Sequence, residues 1–316
     1  MQNKRDISLD FVKIAATLLV LNSHMEICYP NHEYLATGGS IGDALFFFVS
    51  GFGLFLGKKI DFLNWYKRRL RRIFPAIIAI GLIVGVFFHI DQTFLEVMTS
   101  YRYWFIRAIL VLYIFLYPLV VHPTKIGTAL YISLFFLLVM YGCFFNYDRN
   151  GCFYGVDNYF RWIVFFPSMV LGGKICVLSP KIRCKWYALP GLLISILLFY
   201  TILYLWSNSN LLIISIVPLN MIPIFLYMLG KSSLVYKLFS VPILGRFLLL
   251  IGSLCLESYL IQSYIFTDKL NGIFPFNIPI IFLAVFVGSY ILKILSNLLM
   301  QILDSKPLNL GEILKV

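Results

Sequence analysis

Long apolar stretches alternate with short polar connections along the whole chain. An α-helix needs about 17–25 residues to cross a bilayer, and the hydrophobic pattern predicts about ten such segments with soft ends. We therefore predict an all-α fold, a polytopic bundle of membrane helices that forms a single integral membrane domain over residues 1–316. The predicted spans are 7–27, 40–57, 73–90, 103–121, 126–145, 160–178, 187–206, 211–229, 246–266 and 279–303.

The composition supports the membrane class. Hydrophobic residues make up 60% of the chain and charged residues 13%, whereas soluble proteins average about 45–50% and about 25%. These proportions exclude a disordered chain and argue against a soluble domain. No small-residue cleavage site follows the first apolar segment, so we expect it to be retained as the first span rather than removed as a signal peptide.

The net charge of +12 raises the question of a nucleic-acid partner. If the N-terminus is cytoplasmic, most of the 26 Lys and Arg residues fall in cytoplasmic segments. That asymmetry follows the positive-inside rule and predicts that both termini are cytoplasmic. It also explains the basic charge by contact with membrane lipids, without nucleic acid. The cysteines form no CxxC pair and no cluster with histidine, so we expect no metal.

The first predicted span carries two ionisable residues, Lys13 and His24. They are eleven residues apart, about three helical turns, so a continuous helix places both on one face. Ionisable residues inside a membrane are functional by default, and we interpret this face as the lining of a path across the bilayer. The alternatives are that Lys13 extends to the inner surface and that His24 is an ordinary interface histidine.

The segment at residues 65–76 reads WYKRRLRRIFPA. Arg68 and Arg71 are three residues apart, as are Arg69 and Arg72, so each pair is neighbouring on a helix. Guanidinium groups suit a polyphosphate at the cytoplasmic surface. The alternative, which the cluster taken alone favours, is a topology signal in contact with anionic lipids.

Asp43 opens the second span from the outer side, at a depth similar to that of His24. A carboxylate there would orient the imidazole of His24 and stabilise its charged form. We therefore predict that Asp43 supports His24.

Four further residues are candidates for substrate contact. Glu257 lies in the middle of the ninth span with Gln262 nearer the outside, and they either support a polar path or join helices by hydrogen bonds. Trp104 opens the fourth span, where an aromatic belt is the alternative. Arg107 lies one turn further in, where it would bind an anionic acceptor or extend outward.

In this order, these segments resemble the acyltransferase 3 family of integral membrane acyltransferases. The resemblance extends from Asp10 to about the tenth predicted span. One departure is Gln262, which stands where the late segment of the family often has a histidine. The matching positions are Asp10, Lys13 and His24; Gly42, Asp43, Phe46, Phe47, Ser50, Gly51 and Phe52; Arg69, Arg72 and Pro75; Trp104; and Glu257, Tyr259 and Leu260.

The resemblance implies a membrane O-acyltransferase of the cell envelope, in a bacterial cytoplasmic membrane. The donor would be acyl-CoA, most simply acetyl-CoA, with its phosphates on Arg69 and Arg72. Its thioester would reach along the face of Lys13. His24, held by Asp43, would take the proton of an acceptor hydroxyl or carry the acyl group itself. The acceptor would be a surface polysaccharide or its lipid-linked precursor, with glycan-assembly proteins as possible partners.

Two other classes remain open at this point. A polysaccharide or acyl-precursor exporter would also place polar residues within its spans. Because an exporter carries out no acyl transfer, it would tolerate Gln262 in place of the late histidine. A structural or regulatory membrane subunit would tolerate neutral replacements at Lys13 and His24.

Overall fold

The structure, a computed structural model, describes residues 5–57, 60–88, 103–144, 160–207, 209–305 and 307–314. Over these ranges the chain forms helices and connecting loops, with no β-strand. The helices are α1 Ile7–Ser23, α2 Gly39–Phe55, α3 Phe62–Phe88, α4 Trp104–Val121, α5 Ile126–Phe144, α6 Phe160–Leu178, α7 Ala188–Trp206, α8 Ile216–Gly230, α9 Ser233–Ser240, α10 Pro242–Ser253, α11 Cys255–Ile265, α12 Asn277–Leu303 and α13 Leu310–Ile313.

The predicted all-α membrane bundle is confirmed. Seven helical segments of the described residues are long and apolar enough to cross a membrane, or eight if the bent pair α9 and α10 forms one span. The predicted number of ten spans is not confirmed and stays a prediction, as does the cytoplasmic location of both termini.

The third helix starts earlier than predicted. The expected span began at residue 73, whereas α3 begins at Phe62 and includes the whole arginine-rich segment, with Pro75 inside it. Lys, Arg and Leu are good helix formers, so the charged segment continues the membrane helix instead of forming a loop. The arginines therefore project from the same rigid element as the span.

The ninth predicted span, 246–266, is not one straight helix. Helices α9 and α10 meet at an angle of 102°. A residue that precedes a proline is pushed out of helical backbone angles. Val241, before Pro242, accordingly has φ −69° and ψ 120° and ends α9. This bend lies just before the predicted span, and within the span an interruption at Leu254 separates α10 from α11.

The described residues group into two compact units, and the prediction of a single domain stays a prediction. The first unit is drawn from Met1–Ala16, Ser40–Lys59 and Ala108–Arg246, and the second from Thr17–Gly39, Ile60–Arg107 and Phe247–Val316.

In the first unit, α2 and α6 run side by side in the same direction. The rings of Phe47 and Phe165 are stacked with centroids 5.5 Å apart. One turn further along both helices, Gly51 lies against the backbone of Met169. The absence of a side chain at Gly51 allows the two backbones to approach, as small residues do between membrane helices.

In the second unit, α12 is the longest helix together with α3 and packs against both α3 and α11. Ser289 on α12 donates to Ser258 on α11 at 3.1 Å. The chain after α12 turns back along it, where Asn297 donates its side-chain amide to the Ile313 carbonyl at 3.0 Å. The second unit is therefore organised around α12.

We predict that Gly51→Ala and Gly172→Ala each destabilise the protein. An added Cβ would lie 1.9 Å from the Met169 carbonyl oxygen in the first case and 1.9 Å from that of Phe48 in the second. Overpacking of this kind typically costs about 1–3 kcal/mol. Thermal unfolding of the purified protein in detergent would show a lower Tm for both variants.

The control is Gly53→Ala on the same helix, because no atom lies within 4 Å of its added Cβ. Its Tm should match or exceed that of the wild type, since alanine favours a helix more than glycine does. Equal Tm values for Gly51→Ala and Gly53→Ala would contradict the close packing of α2 on α6.

Candidate active site

His24 lies in a turn directly after α1, which ends at Ser23 rather than at the predicted residue 27. The backbone amide of His24 donates to the Leu21 carbonyl at 3.2 Å, so the last turn tightens to i→i−3 bonds. The predicted rotation of 100° per residue therefore does not extend to His24, and the shared face with Lys13 is not established. The His24 side chain is exposed.

The residue two positions before His24 anchors the loop that follows. Asn22 donates its side-chain amide to the carbonyls of Leu35 at 2.8 Å and Thr37 at 3.0 Å. Its side-chain oxygen accepts from the Tyr29 hydroxyl at 2.6 Å. The loop is therefore folded back against the end of α1.

The residues after His24 are buried against the start of α12. Met25, Cys28 and Tyr29 form an apolar cluster with Ile281 of α12. Asn277, the first residue of α12, donates to the Cys28 carbonyl at 2.7 Å. An exposed imidazole thus projects from a segment whose neighbouring residues are fixed.

Two members of the arginine cluster contact other residues of the second unit. Arg71 forms an ion pair with Asp304, just after α12, at 3.2 Å. The guanidinium of Arg69 lies over the ring of Trp65, 5.3 Å from its centroid, in a cation–π contact. Arg69 is half-buried, so one of the two arginines predicted to take phosphate already has a role in packing.

The other two members, Arg68 and Arg72, are exposed and make no hydrogen bond or ion pair among the described residues. They are four residues apart on α3 and therefore lie on one face of the helix. Arg68 and Arg72 are thus the more exposed members of the predicted set, and phosphate binding by Arg68, Arg69 and Arg72 stays a prediction.

Helix α12 separates the arginine cluster from His24. Its first residue, Asn277, bonds the turn after His24, and Asp304, just beyond its last residue, pairs with Arg71. The helix has 27 residues, which corresponds to about 40 Å at 1.5 Å per residue. That length exceeds the hydrocarbon core of a bilayer, about 30 Å.

Lys13 pairs within its own helix. Asp10, 2% exposed, accepts hydrogen bonds from Lys13 at 3.2 Å and from Arg5. The predicted motif of Asp10 and Lys13 is therefore an ion pair one turn apart in the first half of α1. Whether Lys13 lines the path of a substrate stays a prediction.

The start of α1 is fixed to α8 by Asp6. Its carboxylate accepts from the Tyr227 hydroxyl at 2.7 Å and from Lys231 at 3.0 Å. Burial would raise the pKa of Asp6, but these two hydrogen bonds and the charge of Lys231 hold it below its ordinary value. The contact is therefore fully formed at neutral pH and weakens only in acid, as the carboxylate protonates.

Asp43 has a partner that the sequence did not predict. Its buried carboxylate accepts from Arg161 on α6 at 2.7 Å. Arg161 lies in the first turn of α6 and is only partly exposed. One feature of the sequence could have indicated this partner: Arg161 lies one residue inside a predicted span that runs in the same direction as α2. Support of His24 by Asp43 stays a prediction.

Glu257 also forms an ion pair between helices. Its carboxylate, on α11, accepts from Lys293 on α12 at 3.0 Å, and Glu257 is 2% exposed. Glu257 was predicted either to support a polar path or to join helices by hydrogen bonds, and this contact favours the second role. Lys293 was the missed partner, because the sequence places it within a span without showing which helix lies opposite.

Gln262 and Arg107 contain buried polar atoms that lack partners in the part of the chain that the structure describes. They are Gln262 Oε1 and Arg107 Nε. A buried polar atom without a hydrogen bond costs about 1–3 kcal/mol. These atoms are therefore candidates for contact with a polar ligand.

The first turn of α4 packs against α11 close to these atoms. Tyr103 donates its hydroxyl to the Leu260 carbonyl at 3.2 Å, and the rings of Phe105 and Tyr259 are in edge contact. Trp104 is 8% exposed, so it packs inside the protein instead of standing in a lipid-facing belt.

No group of three or more His, Cys, Asp or Glu side chains with the geometry of a metal site occurs among the described residues.

A comparison with protein families gives one match. A model of the acyltransferase 3 type, described as an acyltransferase domain, matches residues 6–295. The matched range includes all the candidate site residues. No curated protein and no solved structure matches the chain significantly.

We predict that Asp43 and Arg161 are energetically coupled. Removal of one partner of a buried ion pair costs about 3–5 kcal/mol, because the other charge is left unpaired. Asp43→Asn and Arg161→Gln should therefore each lower the Tm. The double variant should lose clearly less than the sum of the two single losses.

The measurement is a double-mutant cycle of unfolding in detergent. Strictly additive losses would show that the pair contributes no interaction energy and would contradict the contact.

Proposed function

The chain belongs to the acyltransferase 3 family, and from this premise we propose that it is a membrane O-acyltransferase. It takes an acyl group, most simply acetyl, from cytoplasmic acyl-CoA. It transfers the group to a hydroxyl of a cell-surface polysaccharide or of its lipid-linked precursor. Family membership by itself establishes a multi-pass membrane acyltransferase; the donor, the acceptor and the location in a bacterial cytoplasmic membrane are the proposal.

The observation that carries the proposal is the arrangement of the two ends of α12. One end holds the exposed His24, and the other end holds a basic surface with Arg68 and Arg72 exposed. Basic clusters next to spans are cytoplasmic by the positive-inside rule. This arrangement supports a donor that binds from the cytoplasm and an acceptor that meets His24 on the outer side.

Arg68 and Arg72 are suited to the phosphates of CoA. Guanidinium groups bind phosphate through paired, charge-assisted hydrogen bonds, and both side chains are exposed on α3. With the phosphates held at this end, the thioester arm extends along the bundle toward His24.

His24 is the proposed general base. It takes the proton of the acceptor hydroxyl as the hydroxyl oxygen attacks the thioester carbonyl carbon. The new C–O ester bond forms, the C–S bond breaks, and the proton passes from the imidazolium to the departing CoA sulfur. In the covalent variant of this scheme, the His24 nitrogen first accepts the acyl group and then passes it to the hydroxyl.

The acceptor is proposed to bind at the start of α4 and on α11. Arg107 and Gln262 offer a donor and an acceptor atom that are buried and unpaired within the described ranges. Trp104, buried in the first turn of α4, is the proposed aromatic contact. A hydroxylated sugar satisfies both kinds of polar atom, which supports a glycan acceptor.

We predict that His24→Ala lowers acyl transfer by about 100-fold or more, the usual contribution of a general base. The assay is transfer of label from acetyl-CoA to acceptor by the purified protein. His122→Ala is the control, because His122 is also an exposed histidine but lies in a loop outside the site. A wild-type rate in His24→Ala would overturn the proposal and favour the exporter.

We predict that Arg68→Gln and Arg72→Gln each weaken CoA binding by about ten-fold, since a hydrogen bond to a charged group contributes about 1.5–3 kcal/mol. The KM for acyl-CoA should rise while kcat changes little. Lys237→Gln, which also removes an exposed positive charge, should leave KM unchanged. Equal effects from all three variants would indicate general electrostatics without a phosphate site.

A further inference from the structure

The turn that carries His24 is held on both sides by asparagine side chains. On the preceding side, Asn22 bonds the carbonyls of Leu35 and Thr37. On the following side, Asn277 bonds the carbonyl of Cys28 at 2.7 Å. His24 itself is exposed, and the backbone bonds on either side fix the turn that carries it.

Asn277 is fully buried, with 0% of its surface exposed. Its side-chain amide donates to Cys28 and also to the Asn271 side-chain oxygen at 3.1 Å. Asn271 in turn donates to the Ile27 carbonyl at 3.0 Å. Two adjacent carbonyls of the helical turn Glu26–Cys28 are therefore held by one pair of asparagines.

Loss of the Asn277 bond would leave the Cys28 carbonyl without the donor that it has in the structure. Cys28 is fully buried, and a buried carbonyl that loses its donor carries an unfavourable free energy that the chain can reduce only by moving. The turn Glu26–Cys28 is separated from His24 by Met25 alone, so a movement of the turn also moves the imidazole. Displacement of a catalytic group by about 1 Å can cost about 100-fold in rate.

We propose that Asn277 is a positioning residue for acyl transfer, which fixes the turn that presents His24 to the acceptor. This inference rests on the proposed function of His24. Asn277 does not touch the reacting atoms and acts through the backbone of residues 25–28.

The chain offers a matched control on the same helix. Asn297 of α12 is also buried, at 9% exposure, and donates its side-chain amide to a backbone carbonyl, that of Ile313, at 3.0 Å. It makes the same type of bond as Asn277, but to the chain segment near the opposite end of α12. Asn297→Ala therefore reproduces the structural loss without acting on His24.

The experiment measures kcat, KM for acetyl-CoA and Tm for both variants with the purified full chain. Asn277→Ala should lower kcat by about 10- to 100-fold with KM for acetyl-CoA unchanged. Asn297→Ala should lower the Tm to a similar extent and leave kcat unchanged. If Asn277→Ala does not yield folded protein, Asn271→Ala serves instead. It removes the bond to Ile27 and the bond accepted from Asn277, keeps the bond from Asn277 to Cys28, and should lower kcat in the same direction.

Two results would overturn the inference. One is a wild-type kcat in the folded Asn277→Ala or Asn271→Ala variant; the other is an equal loss of kcat in Asn297→Ala. The proposed function fails separately, when His24→Ala retains the wild-type rate. If His24→Ala abolishes transfer while Asn277→Ala leaves kcat unchanged, only the positioning role is lost.

Discussion

A charge inside a membrane bundle needs a partner of opposite sign, and this constraint organises the protein. Asp43 pairs with Arg161 in the first unit, and Glu257 pairs with Lys293 in the second. The first pair joins helices that are distant in the sequence, and the second joins the consecutive helices α11 and α12. Arg68 and Arg72 are exposed on α3, and in the proposal they bind the phosphates of the donor.

Helix α12 sets the geometry within which these groups act. It holds the His24 turn at one end and the Arg71–Asp304 pair at the other, about 40 Å apart along the helix. In the proposal, a donor anchored by its phosphates at the basic end directs its acyl arm into the bundle toward His24. The positioning role of Asn277 follows from the same helix, because its first residue fixes the turn next to His24.

The sequence predicted the all-α membrane class and most helix boundaries, since apolar length and charge asymmetry are local properties. It did not predict that Asp43 pairs with Arg161 or Glu257 with Lys293, because helix neighbours depend on packing between distant segments. The end of α1 at Ser23 was missed for a similar reason: the following turn is stabilised by Asn277, about 250 residues further along. Spacing alone could not show which arginines of the cluster are exposed. Arg69 packs over the ring of Trp65, whereas Arg68 is exposed to solvent.

The central claim is that the donor enters at the basic end and the acyl group leaves at the His24 end. It is tested most directly with sealed membrane vesicles of both orientations, supplied with labelled acetyl-CoA that cannot cross the bilayer. The account predicts transfer of label in inside-out vesicles, where the cytoplasmic face is accessible, and none in right-side-out vesicles. Equal transfer in the two preparations, or transfer only in right-side-out vesicles, would contradict it.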